Sequence, residues 1–95
     1  MQSKMLPNFM AGTAIKITSV FNIDTPSTAV VTIDNPSTLP VINGATMVKE
    51  DNGVYSYVAQ TLSTWVEGDY VVTISITYAG YTSVAQEKFT LIKQE

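Results

Sequence analysis

The chain reads as all-β, a small antiparallel β-sandwich of about seven strands. Three observations predict this. Tyr70, Val72, Ile74, Ile76 and Tyr78 alternate with Val71, Thr73, Ser75 and Thr77, the period of two expected of a strand with one face buried and one face wet. Val, Ile and Thr make up about a third of the 95 residues, and β-branched side chains favour strands over helices. Turn chemistry recurs between the apolar runs at roughly 8–12-residue spacing, the rhythm of a sandwich or small barrel.

Thr13 to Phe21 is the first expected strand, with Ile15, Ile17 and Phe21 on one face. Asn22 to Thr28 is a loop in which Pro26 removes a donor. Ala29 to Asp34 is a short strand, closed by the break Asn35 to Pro40. Val41 to Asn43 is a short strand ending in an Asn43-Gly44 turn. Ala45 to Glu50 and Val54 to Gln60 form a hairpin about Asn52-Gly53, where Gly53 is expected at positive φ. Leu62 and Trp65 fall in the connection Thr61 to Gly68 and are expected to plug one end of the core. Asp69 to Tyr78, the turn Ala79-Gly80, and Tyr81 to Ile92 complete the domain. The expected core is Ile17, Phe21, Val31, Ile33, Tyr57, Tyr70, Val72, Ile74, Ile76 and Phe89. The domain spans 13–92, between an apolar arm over 1–12 and a polar tail over 93–95.

The charge balance narrows the function. Charged residues are 14% of the chain and the net charge is −3, against roughly 25% charged in ordinary soluble domains. All five cations are lysines, scattered along the sequence, so no arginine fork is present for phosphate or guanine and no basic stripe forms. Nucleic acid is not an expected partner, nor is a membrane, because Thr and Ser interrupt every apolar run. Without Cys or His the chain lacks thiol nucleophiles, disulfides and the commonest general base and metal ligand. No phosphate loop or nucleophile elbow appears. No catalytic residue, metal or cofactor is expected.

Weaker constellations have bland readings beside them. Paired carboxylates can hydrolyse glycosides, yet Asp24, Asp34, Glu50, Asp51, Glu67, Asp69 and Glu87 fall mostly at strand ends and turns. Glu50-Asp51-Asn52 and Glu67-Gly68-Asp69 cluster oxygens of the kind calcium takes, without matching an EF-hand loop. Trp65 and Tyr81 are the candidates for a sugar-stacking platform; the ordinary role of such rings is to fill a core and its rim. Met5, Leu6, Phe9 and Met10 put four large apolar groups into the arm. Such groups are costly to leave wet, so they are the candidate partner-binding residues, to be covered by their own domain or by a neighbour.

Four segments together carry a family resemblance: Gly12 to Phe21, Val-Thr-Ile-Asp-Asn-Pro at 31–36, the hairpin from Ala45 through Gly-Val-Tyr-Ser-Tyr at 53–57, and Gly-Asp-Tyr at 68–70, closed by Phe-Thr-Leu at 89–91. In that order they resemble short immunoglobulin-like β-sandwich proteins found among the structural proteins of tailed phages and related prokaryotic viruses. The resemblance covers about 80 residues and departs from the family at Ala11-Gly12 and in the apolar arm. It implies a virion structural protein, such as a capsid decoration, head–tail or fibre-associated module. That role implies capsid or tail proteins as partners, a homo-oligomer or larger assembly, and location in the virion. The alternative is an adhesion or carbohydrate-binding module at the cell surface.

Overall fold

The computed structural model describes residues 5–21, 27–51 and 53–93. Eight strands run in chain order: β1 (Met5–Met10), β2 (Ala14–Val20), β3 (Ser27–Asp34), β4 (Pro40–Thr46), β5 (Val48–Asp51), β6 (Val54–Gln60), β7 (Gly68–Tyr78) and β8 (Tyr81–Ile92). They form a five-stranded sheet in the order β1-β8-β7-β3-β4 and a three-stranded sheet in the order β2-β6-β5. The described residues contain no helix.

Period-two patterning builds the core directly. Ala29, Val31 and Ile33 of β3 and Tyr70, Val72, Ile74 and Ile76 of β7 are buried, as are Phe89 and Leu91 of β8. From the smaller sheet, Ile15, Ile17, Tyr55 and Ala59 close over them, with Met47. Fully burying one such large apolar side chain stabilises by about 1.5–3 kcal/mol, so this set supplies the main driving force. Phe21 and Tyr57, expected inside, are only half-buried and pack against the cluster. Phe21 lies past the end of β2, and Tyr57 shares the inward face of β6 with Tyr55 and Ala59. Tyr55, two residues from Tyr57, takes the deep position instead.

Two expectations change. Asn43-Gly44 is not a turn: β4 runs through it, and Gly44 sits at φ 68 inside the strand. Val31 pairs Ala45 while Ile33 pairs Ile42, so β4 carries one extra residue opposite Thr32. Glycine in a left-handed conformation at an extra residue makes a β-bulge, and here its N–H donates to Thr32 Oγ1 at 3.1 Å. The expected strand from Ala45 to Glu50 is cut at Met47, where the chain leaves the larger sheet for the smaller. The hairpin joining β5 to β6 pairs Val48 with Ser56 and Lys49 with Tyr55, and Gly53 has φ 72. Asn52 and the loop over 22–26 lie outside the described residues.

Tight connections hold the ends. Tyr78 and Tyr81 face each other across Ala79 (φ 48) and Gly80 (φ 81), the positive-φ pair of a two-residue hairpin turn. Between β3 and β4, Asn35 Oδ1 accepts from the backbone N–H groups of Ser37 and Leu39 at 2.9 and 3.0 Å, an Asx-type turn. Thr61 ties the β1–β2 corner to the end of β6. Its hydroxyl donates to Thr13 O at 2.6 Å and accepts from Gly12 N at 2.9 Å.

Candidate interaction surfaces

The arm residues have a definite backbone position. Met5–Met10 is β1, paired parallel to β8, with Met5 beside Lys88, Phe9 beside Leu91 and Met10 beside Ile92. The Phe9 ring meets Phe89 edge-on at 6.3 Å between centroids and packs on the core. Met10 points outward and is 38% exposed, over a shallow hollow of about 210 Å³ shared with Ala11, Ser63 and Lys93. The side chains of Met5 and Leu6 lie outside the described set. Of the four expected contact residues, the structure therefore gives Phe9 to this domain's own core and leaves Met10 at its surface.

Trp65 and Tyr81 are not brought together. Trp65 precedes β7 and stacks on Tyr70 at 5.7 Å; Tyr70 stacks on Phe89 at 5.2 Å. Tyr81 follows β7, beside Tyr78 at 6.3 Å. The eleven residues of β7 separate them, about 35 Å of extended chain. One ligand ring cannot touch both. Each aromatic pair in the Trp65–Tyr70–Phe89–Phe9 series contributes about 0.5–1.5 kcal/mol beyond area, so Trp65 is a structural plug on the core. Tyr81, 69% exposed, is free of that role.

The carboxylates take separate local roles. Asp69 Oδ1 accepts from Thr90 Oγ1 at 2.7 Å, and Glu50 accepts from the Ser56 hydroxyl. Among the described residues no three acidic side chains gather as a metal site would require.

What sequence reasoning missed is the outer face of the five-stranded sheet. Residues alternate with the core positions there, so pairing places them in rows. Thr28, Thr77 and Thr82 form one row; Thr46, Val30, Ser75 and Val84 a second; Thr32, Thr73 and Gln86 a third. Val84 is 62% exposed and Val30 37%. No charge occurs in these three rows; the first comes in the next, Asp34–Val71–Lys88. The signal was present as the polar phase of each strand, but the row order depends on which strands pair.

At the start of β7, the Tyr70 hydroxyl donates to Val66 O at 2.7 Å. A tyrosine there, bonded back to the chain just upstream, is a corner device of immunoglobulin sandwiches. Among solved structures the chain is similar to the M1 domain from titin, with 15% identity, a TM-score of 0.50, and coverage of 95% of this chain and 88% of that chain. The fold is immunoglobulin-like. In that scheme β3, β7 and β8 take the places of strands C, F and G, and β2, β6 and β5 those of B, E and D. The immunoglobulin-like β4 is the added strand beside C. No protein-family model and no curated protein matches the chain.

The comparison corrects the expected virion role. The similar structure is a domain of titin rather than a virion protein, and at 15% identity it supports the immunoglobulin-like fold alone. The affiliation with phage structural proteins has no support, and the reason for naming capsid or tail proteins as partners goes with it.

Proposed function

We propose that the chain is a non-catalytic interaction module, an immunoglobulin-like unit that self-associates through protein–protein contact. The observation that carries this reading is the block of three uncharged rows on the outer face of the five-stranded sheet, where Val30 and Val84 flank Ser75 in one row. Interface cores are depleted in charge and keep polar groups at the rim. Here the arrangement is the same: Thr and Val at the middle, with Asp34 and Lys88 in a flanking row. A rigid sheet adds low ordering cost on association.

Sedimentation velocity from micromolar to millimolar concentration tests it. The expected result is a sedimentation coefficient that rises with concentration for the native chain and stays monomeric for the double variant Val30→Lys/Val84→Lys. Both positions are exposed, so the far-ultraviolet circular dichroism of the variant should match the native spectrum. A native chain that remains monomeric at millimolar concentration removes this reading.

A further inference from the structure

Five asparagines occur in the chain, at 8, 22, 35, 43 and 52. Their side-chain amides differ in how open they are to attack by the backbone nitrogen of the next residue. Phe9 and Ile23 crowd that nitrogen after Asn8 and Asn22, and Pro36 after Asn35 has no N–H to lose. Only Asn43 and Asn52 are followed by glycine, which puts no side chain in the way. Asn52 lies outside the described residues, whereas Asn43 and its neighbours lie within them.

Asn43 sits in the bulge of β4. Ile42 pairs with Ile33 and Ala45 with Val31, and both pack against the core. Asn43 and Gly44 therefore stand together opposite Thr32 on the outer face. Both are exposed, and a Cβ on Gly44 would meet nothing within 4 Å. Water reaches the dipeptide, and a ring has room to close. β4 is also the last strand of the larger sheet, paired on one side only among the described residues, so a local opening there breaks a single ladder. One contact opposes the reaction. The Gly44 N–H donates to Thr32 Oγ1 at 3.1 Å, which engages the proton that the attacking nitrogen must lose and holds that nitrogen in place.

We propose that Asn43–Gly44 is a site of spontaneous deamidation through a cyclic imide, with the Thr32 hydroxyl as the gate that restrains it in the folded chain. The Gly44 nitrogen gives its proton to solvent and forms a bond to Asn43 Cγ. The Cγ–Nδ2 bond breaks, and the amide nitrogen leaves as ammonia after taking a proton back from solvent. Water then opens the imide at either carbonyl, leaving an aspartyl or isoaspartyl residue at position 43. Nothing is oxidised or reduced, and water is the only co-reactant. The product carries a carboxylate into the row of Thr32, Thr73 and Gln86, which holds no charge. The isoaspartyl form also adds one carbon to the backbone of β4. The site depends on the bulge and its hydrogen bond, not on self-association by this face.

Incubation of the full chain at one mildly alkaline pH, followed by cleavage after lysine and mass spectrometry, tests this. Cleavage after Lys16 and Lys49 puts Asn43 and Asn52 in different peptides, and electron-transfer fragmentation separates aspartyl from isoaspartyl. The folded chain should deamidate at position 43 more slowly than the urea-unfolded chain, by about tenfold or more. Thr32→Val keeps the β-branched shape and removes the acceptor. It should speed the folded-state reaction by about two- to tenfold, the factor set by loss of one neutral hydrogen bond, with the circular dichroism unchanged. Thr32→Ser should restore the slow rate, and Asn43→Gln, whose ring would need one more atom, should stop the reaction. Hydrogen exchange gives a second readout that needs no variant: the Gly44 amide should be protected in the native chain. Should Thr32→Val not fold, that measurement and the Thr32→Ser rate decide. The proposal is overturned by equal rates at position 43 in the folded and unfolded chains, by no reaction there in the unfolded chain, by a folded Thr32→Val that reacts no faster than the native chain, by Thr32→Ser reacting as fast as the unfolded chain, or by an unprotected Gly44 amide.

Discussion

The Tyr70 hydroxyl donates to the Val66 carbonyl oxygen at 2.7 Å, while the Tyr70 ring is sandwiched between Trp65 and Phe89. One side chain thus joins the core to the irregular connection between β6 and β7. The ring is buried by stacking and the hydroxyl reaches a carbonyl of the loop just upstream. That connection crosses from the smaller sheet to the larger.

Tyr70→Phe keeps the stacking and removes the donor. The expected cost is about 0.5–1.5 kcal/mol, the net worth of one neutral hydrogen bond. Urea unfolding checks it: the midpoint should fall with the slope unchanged.

Burial pushes the Tyr70 phenol above its ordinary value of about 10. A group whose pKa is raised in the folded state contributes fully below the unfolded value and loses that contribution as pH climbs through the folded one. The stability gap between the native chain and Tyr70→Phe should hold steady below pH ~10 and shrink above it. A gap that stays constant through the alkaline range would show that the neutral phenol is not the donor.

Thr61→Val should destabilise by about 1–3 kcal/mol, because it strips the partner from the Gly12 N–H and the Thr13 carbonyl at once. Thr61→Ser keeps both bonds and should cost less. Thermal unfolding of the two variants separates the hydroxyl from the methyl group; equal losses would assign the effect to packing.

Ala79 sits at φ 48, a conformation that costs an L-residue roughly 1–2 kcal/mol. Ala79→Asn, which tolerates that region, should raise stability by about 0.5–1 kcal/mol. A lower melting temperature would mean that the turn between Tyr78 and Tyr81 has another geometry in solution.

A Cβ on Gly68 would lie 2.7 Å from Pro36 Cγ, with the backbone at φ 133. Gly68→Ala should therefore be destabilising, and adding Pro36→Ala should recover the steric part while leaving the backbone part. A double-mutant cycle should show coupling above ~0.5 kcal/mol. Strict additivity would place the whole cost in the backbone.

Much of the fold was legible because its rules are short-range. Alternation over Tyr70 to Tyr78 placed every inward residue of β7 correctly, since period two is a property of the single strand. Asn43-Gly44 shows the limit. The same positive-φ preference serves a turn or a bulge, and the pairing of β4 with β3 decided for the bulge. The candidate surfaces were less legible still. Thr28, Thr77 and Thr82 are scattered in sequence and become one row only after β3, β7 and β8 pair.

By itself the sequence determined an all-β chain, the inward phase of its longest strand and the positive-φ glycine at 53. It also showed which chemistry was missing: thiol, imidazole and guanidinium. Only the tertiary structure decided that Phe9 enters the core through a parallel pairing with β8 and that Trp65 and Tyr81 stand at opposite ends of β7. The physical reason is the range of the interactions. Backbone sterics and alternation act between neighbours, whereas the choice of strand partner rests on burying apolar surface against segments dozens of residues away, and no local pattern encodes that choice.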